Sequence, residues 1–341
     1  MTKVTHVLGL AILSGGLLAG TAVLPASAQD CPTTNDGVCN EPDVGDATCK
    51  AGSDTADCSA AATPPAGGGG DDAMVEQLAG AGTLYEAFEL ALPSAPPGAI
   101  SYSSAAPIGE NGIEFVDLLF ADGPDEIAID RLTVNNVDWR AMLAENTPTF
   151  MDVVVEGLSL PVDAMDLDPM AESMLGDVIS TNLSLSYTID GTDLNVDQLS
   201  LEMQDLAAVG LTLAAQGVNP SAGDPGGMML GSTISNGELT FQDNGLVALI
   251  LDQASQMTGM GPEETAMMAV AQLQMMGGQA TSPGAQSAMQ ALTAFLQAAP
   301  NPDGTLTISM NPSTPFSPLM LMSVTDPDAA VQLLGLSASY Q

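Results

Sequence analysis

Histidine is almost missing from this 341-residue chain: the single copy is His6, near its start. Without a histidine further on, no Ser-His-Asp or Cys-His catalytic pair and no histidine-bound zinc can be assembled. Basic residues are nearly as scarce. Lysine and arginine number 4 against 42 acidic residues, giving a net charge of −38. Nucleic acid and anionic lipid surfaces repel such a chain, because few cations are present to replace their counterions. Divalent cations are attracted to it, and the charge also suits solubility in salty surroundings. Aromatic residues make up only 4% of the chain, and Trp139 is the one tryptophan. That speaks against a sugar-cleaving pair of carboxylates, whose sites stack the substrate on aromatic rings. G-x-S-x-G, Walker and G-x-G-x-x-G signatures are missing as well.

Past residue 28 no apolar run approaches the roughly 20 residues that span a bilayer. The first 28 residues, "MTKVTHVLGLAILSGGLLAGTAVLPASA", combine a basic start, an apolar centre and a small-residue end. That is the pattern of a secretory signal, with cleavage expected between Ala28 and Gln29. Thr21 of "LLAGT" stands where a lipid-bearing cysteine would be, so no lipid anchor is expected. The chain is therefore expected to be exported, to the periplasm or beyond. It is not expected to be disordered: 45% of its residues are hydrophobic and the mean hydropathy is +0.23.

The four cysteines all fall within "CPTTNDGVCNEPDVGDATCKAGSDTADC", residues 31–58. Neither the spacing nor the compartment suits a zinc site, so two disulfides are expected, with three pairings open. Residues 29–58 thus read as a small disulfide-stapled acidic module. Residues 59–73, rich in glycine, proline and alanine, read as a linker, and 74–341 as one large domain.

The large domain opens on a predicted helix, "MVEQLAGAGTLYEAFELAL". Strand signals follow, clearest in "TNLSLSYTID", where Leu183, Leu185, Tyr187 and Ile189 alternate with polar residues. In "TDLNVDQLSLEM" the apolar parity changes at Asp197-Gln198, which predicts a bulge. Later segments carry helical spacing. Leu246, Leu249, Ile250, Ala254 and Met257 form one stripe, and Ala288, Leu292, Phe295 and Ala299 another. A strand, a short helix at "DPDAAVQLLG" and a last strand "LSASY" are expected to close the domain. The fold class is α+β: a large twisted antiparallel sheet with helices on one face. "LSYTIDGTDLNVDQLSL" and "LTFQDNGLVALILDQAS" share a pattern that reads either as a trace of duplication or, the favoured reading, as the chance likeness of turns between amphipathic elements.

Three clusters invite a chemical reading. Asp163, Asp166 and Asp168 lack the glycine and terminal glutamate of an EF-hand loop and read as a solvated turn. Arg131 and Arg140 flank Trp139, and either Asp130 or Asp138 is placed to pair with them, the alternative being an arginine kept for an anionic ligand headgroup. Met257, Met260, Met267, Met268, Met275 and Met276 fall on predicted helices. Methionine fills ordinary cores, but it also adapts to irregular apolar ligands, and these six are the candidate lining of a ligand groove.

The cysteine segment, through "DGVCNE" and the later "D-x-x-D-C", resembles a Lin-12/Notch repeat, a small calcium-binding disulfide module. It departs from that family in having four cysteines rather than six. The resemblance implies calcium ligands at Asn40, Asp54 and Asp57, with Asp36 a further candidate, and the pairs Cys31–Cys49 and Cys39–Cys58. A disulfide loop with solvated acids is the competing reading. The large domain, through its strand-turn runs and "LTFQDNGLVALILDQASQMTG", is similar to AsmA-like or YdgA-like bacterial envelope proteins. That similarity implies a β-rich architecture and lipid handling, with no catalytic motif.

The expected function is a non-catalytic exported protein that binds an apolar or amphipathic, lipid-like envelope ligand, with calcium as the one candidate cofactor. The alternative is an extracellular protein-interaction scaffold, and the third reading a carboxylate-dependent hydrolase.

Overall fold

A computed structural model describes residues 69–122, 125–161, 178–222, 225–229, 231–277, 281–321, 324 and 326–341. The cysteine segment and Asp163, Asp166 and Asp168 lie outside them. The chain divides into two units, Met1–Gly80 and Ala81–Gln341. Helix α1, Gly69–Ala79, belongs to the first and begins inside the stretch read as a linker.

The second unit opens with α2, Leu84–Ala91, which starts where the single long predicted helix would have continued. The break is a capping exchange. Thr83 Oγ1 accepts from Glu86 N at 3.1 Å, and Glu86 Oε2 accepts from Gly82 N at 2.8 Å. A threonine followed three residues later by glutamate satisfies two helix-end donors at once, so a helix begins there.

The strands follow as β1 Ile100–Ser101, β2 Ser104–Ile108, β3 Gly112–Asp122 and β4 Asp125–Val137. Helix α3, Trp139–Leu143, leads into β5 Phe150–Pro161, β6 Val178–Asp190, β7 Asp193–Met203 and β8 Ala207–Gln216. After α4, Pro225–Met229, comes β9, Thr233–Asp243. Three helices then run in succession: α5 Leu246–Thr258, α6 Pro262–Gly277 and α7 Pro283–Gln297. The remainder is β10 Thr305–Met310, α8 Pro318–Leu321, α9 Pro327–Leu334 and β11 Leu336–Tyr340. All eleven strands form one sheet in the order β1-β3-β4-β5-β6-β7-β8-β9-β10-β11, with β2 also on β3. Every pairing is antiparallel. The expected antiparallel meander with helices is therefore present.

Register turns the alternation of single strands into continuous rows. Phe115, Leu132, Val155, Leu183, Leu201, Val209, Phe241, Leu306 and Tyr340 stand opposite one another from β3 to β11. A second row runs Val134, Val153, Leu185, Leu199, Leu211, Leu239, Ile308 and Ala338. The reverse face carries Thr133, Val154, Ser184, Ser200, Gly210, Thr240, Thr307 and Ser339. Side chains alternate across a strand, so one face is apolar throughout and the other small and polar. The bulge expected at Asp197-Gln198 is real: pairing with β8 jumps from Val196 to Leu199. It keeps Leu194 and Val196 on the apolar side together with Leu199 and Leu201.

Helices cover both ends of the apolar face. On β3, Phe88 of α2 meets the Phe115 ring at 4.8 Å. On the last strands, Phe295 of α7 packs edge-on against Phe241 at 5.7 Å and Tyr340 at 5.6 Å. Aromatic edges prefer this T-shaped contact.

On α5 Leu251 is buried and Val247 joins the Phe295–Leu306 cluster; of the stripe, Leu246, Leu249 and Ala254 are half-buried and Ile250 and Met257 exposed. The run "LVALIL" offers apolar residues on two sides, and tertiary packing selects between them. The two similar segments also fold differently. The first is the β6–β7 hairpin, turning at Gly191 with φ +63°. The second passes from β9 into α5 at Gly245, φ +139°, where the buried Asp243 Oδ1 accepts from Val247 N at 2.8 Å. They are not a structural repeat.

Candidate functional site

The apolar face is not equally covered along its width. On β4 and β5, Ile129, Leu132, Val153 and Val155 are buried. At one end of the strands, Met228 and Met229 of α4 close over Ile189, Leu194 and Ala215. Between these parts, β7–β9 leave Leu199, Val209 and Leu211 half-buried. Leu201 stays 36% exposed and Leu239 39%. Large aliphatic side chains open to water from the inner side of a sheet are unusual, because strand alternation normally buries them. Asp190 and Asp193, paired across the β6–β7 turn, alternate with Ile189 and Leu194 and so belong to the reverse face.

The candidate groove methionines lie on the helices, most of them facing outward. Met257 is 74% exposed on α5, and Met267, Met268 and Met275 are 64%, 52% and 72% exposed on α6. Met260 is half-buried between the two helices, and Met276 falls near the end of α6. Core filling does not account for the four exposed side chains.

The reverse face holds an open cleft of about 590 Å³, lined by Asp130, Glu156, Gly157, Ser180, Asn182, Glu202, Gln204, Asp205 and Asn244. Its four carboxylates are exposed. Gly157 N donates to Asn182 Oδ1 at 2.9 Å, and Asn182 Nδ2 donates to Glu202 Oε2 at 3.3 Å. This cleft lacks the enclosed, desolvated carboxyl that acid–base hydrolysis uses as a proton donor. Among the described residues no group of three acidic, cysteine or histidine side chains is placed to hold a metal ion. The expected calcium ligands Asp36, Asn40, Asp54 and Asp57, and the cysteines Cys31, Cys39, Cys49 and Cys58, lie outside those residues.

The arginine cluster resolves differently from either pairing expected. Arg131 pairs with Glu114 on β3 and, through Nε at 3.4 Å, with Glu156 on β5. Arg140 donates to the carbonyls of Ala81 and Gly82 at 3.1 and 3.4 Å and lies 4.3 Å over the Trp139 ring. Asp138 instead caps α3, accepting from Ala141 N at 3.2 Å and from the Thr149 hydroxyl at 2.8 Å. Neighbours across strands are set by register, which nearest-in-sequence reasoning does not see. Nearby, Tyr187 donates to the Pro148 carbonyl at 3.2 Å. Burial first, and the Asp138 charge second, push its phenol up to about 12.

The fold and this surface define a class: an antiparallel meander whose apolar face is roofed at its ends and open over its middle strands. A family model with the description "Uncharacterized protein" matches residues 179–341, from β6 through the last strand and including the open stretch. No curated protein matches the chain.

Proposed function

We propose that the chain is an exported, non-catalytic binding protein for an apolar or amphipathic, lipid-like ligand, seated on the open stretch of β7–β9. The observation that carries this reading is the exposure of Leu201 and Leu239 within otherwise continuous apolar rows. Each buried methylene contributes about 0.8 kcal/mol, so an acyl chain laid along these leucines would gain several kcal/mol. No described helix is long and apolar enough to cross a membrane, and the reading does not require one. Flexible methionines exposed on α5 and α6 add adaptable apolar surface on the same unit. In this reading residues 29–58 form an accessory disulfide module that takes calcium through Asn40, Asp54 and Asp57, as its resemblance to a Lin-12/Notch repeat suggests.

The test is solvent extraction of the natively purified full chain followed by mass spectrometry, together with titration of a fluorescent acyl probe. A near-stoichiometric acyl species and saturable probe binding are expected. No extracted lipid together with no probe binding would overturn the reading.

A further inference from the structure

We infer that the solvent side of α5 and α6 is a methionine-oxidation site, where peroxide-class oxidants are consumed without loss of the fold. The inference stands apart from the ligand reading, and three observations carry it. First, α6 sorts its apolar side chains in an unusual way. Ala266 is buried and Ala269, Val270 and Leu273 are half-buried, while Met267, Met268 and Met275 are each more than half exposed. Their spacing places these three within about 100° of one another around the helix axis. On α5 the inward residues are Val247 and Leu251, and Met257 is the most exposed. Leucine would make these outward positions just as apolar. What methionine adds is a sulfur that an oxidant can reach. Second, methionine is sheltered elsewhere among the described side chains. Met151 is buried, Met203 and Met310 are half-buried, and Met228 and Met229 pack on the Ile189–Leu194 cluster. Met320, the one methionine of α8, is the exception. Third, no cysteine follows Cys58, so methionine is the only sulfur of the large domain, and its single tryptophan, Trp139, is buried.

In the reaction the thioether sulfur attacks one peroxide oxygen. An S–O bond forms as the O–O bond breaks, and sulfur gives up two electrons. The departing hydroxide takes the proton left on the new oxygen, so each event yields one sulfoxide and one water. A sulfoxide disrupts a core but is readily solvated at the surface. The inward contacts of Val247, Leu251 and Ala266 involve none of the four sulfurs, so oxidation leaves them in place. Methionine sulfoxide reductases, one for each epimer, can restore the thioethers.

The test treats the natively purified full chain with hydrogen peroxide, quenches with catalase, and follows each methionine by peptide mass spectrometry. Met257, Met267, Met268 and Met275 are expected to gain oxygen about ten-fold faster than Met151, since susceptibility follows exposure. The melting temperature should stay unchanged once these four are oxidised, and both reductases together should return them to the thioether. With limiting peroxide, the variant M257L/M267L/M268L/M275L should show more oxidation at Met151, Met203 and Met310 than the parent does. Oxidation at equal rates across the described methionines overturns the inference. So does a melting temperature that falls in step with the first four events, or a variant whose sheltered methionines gain no extra oxygen.

Discussion

The backbone N–H of Ala338 donates to the hydroxyl of Ser287 at 3.1 Å, so α7 occupies the outer edge of the last strand. Thr305 and Gln341 exchange both backbone hydrogen bonds, which fixes the N–H groups of Leu336, Ala338 and Tyr340 as the outward ones. An open edge of this kind invites pairing with another chain. Gly284 lets the helix come close: a Cβ there would collide with the Leu336 carbonyl and approach the Val331 side chain. Ser287→Ala should cost about 1–3 kcal/mol by orphaning a half-buried donor. Gly284→Ala should cost a similar 1–3 kcal/mol through overpacking. Thermal melts check both values. Size-exclusion chromatography of Ser287→Ala checks for the dimer or aggregate that an uncovered edge predicts.

The start of α2 depends on two side chains. Thr83→Ala removes the acceptor for Glu86 N, and about 1 kcal/mol of stability should go with it. Thr83→Ser should retain most of that stability. Chemical denaturation at neutral pH measures both, and equal stability of the alanine variant and the parent would show that the cap is idle.

Asp328, in the first turn of α9, accepts from the Thr281 N–H at 2.9 Å, the Thr281 hydroxyl and the Ser282 hydroxyl at 3.1 Å. These bonds, those from Thr281 first, hold its carboxyl below the usual 3.8. A depressed carboxylate stabilises the fold above its unfolded pKa and loses that contribution as pH falls through its folded one. Asp328→Asn should therefore lower the melting temperature at pH 7 and show a flatter decline below pH 4 than the parent. Parallel curves for the two proteins would contradict this.

Leu201→Gln/Leu239→Gln separates binding from folding. Both side chains are more than a third exposed, so stability should change by no more than about 0.5 kcal/mol per site. Acyl-probe affinity should fall roughly ten-fold from the lost apolar contact. A melting temperature that collapses, or affinity that does not move, would count against the open stretch as the binding surface.

Calcium should raise the melting temperature of the full chain at low ionic strength, and Asp54→Asn/Asp57→Asn should abolish that shift. Binding calorimetry on the two proteins provides the check. An identical response in both would remove these aspartates from the ligand set.

Much of the sheet was legible because its strands alternate cleanly. Leu183, Leu185, Tyr187 and Ile189 mark β6, and the parity change at Asp197-Gln198 marks the bulge. The buried side of α5 was not legible, since "LVALIL" satisfies two helical stripes and only contact with Phe295 and Leu306 distinguishes them. The partners of Arg131 were hidden for another reason. Glu114 and Glu156 lie on flanking strands, and their proximity exists only once register is set. The cap at Thr83–Glu86 is written plainly as T-x-x-E, but it lies within a longer apolar pattern that reads as one continuous helix. For the open stretch, alternation shows that β7–β9 have an apolar face but not that it stays uncovered. That depends on where α4 and α7 come to rest.

The unbroken succession of β3 to β11 also bears on how the sheet forms. From β3 to β9 each strand pairs with the next in sequence, and no connection exceeds 16 residues. Contacts of this kind form quickly. The sheet can therefore grow one hairpin at a time as the chain emerges from a ribosome or a translocation pore. The longest interval is the stretch of helices between β9 and β10, with a second of 25 residues between β10 and β11, and assembly should pause at the first. Pulse-labelled hydrogen exchange should find β3–β9 protected before β10 and β11.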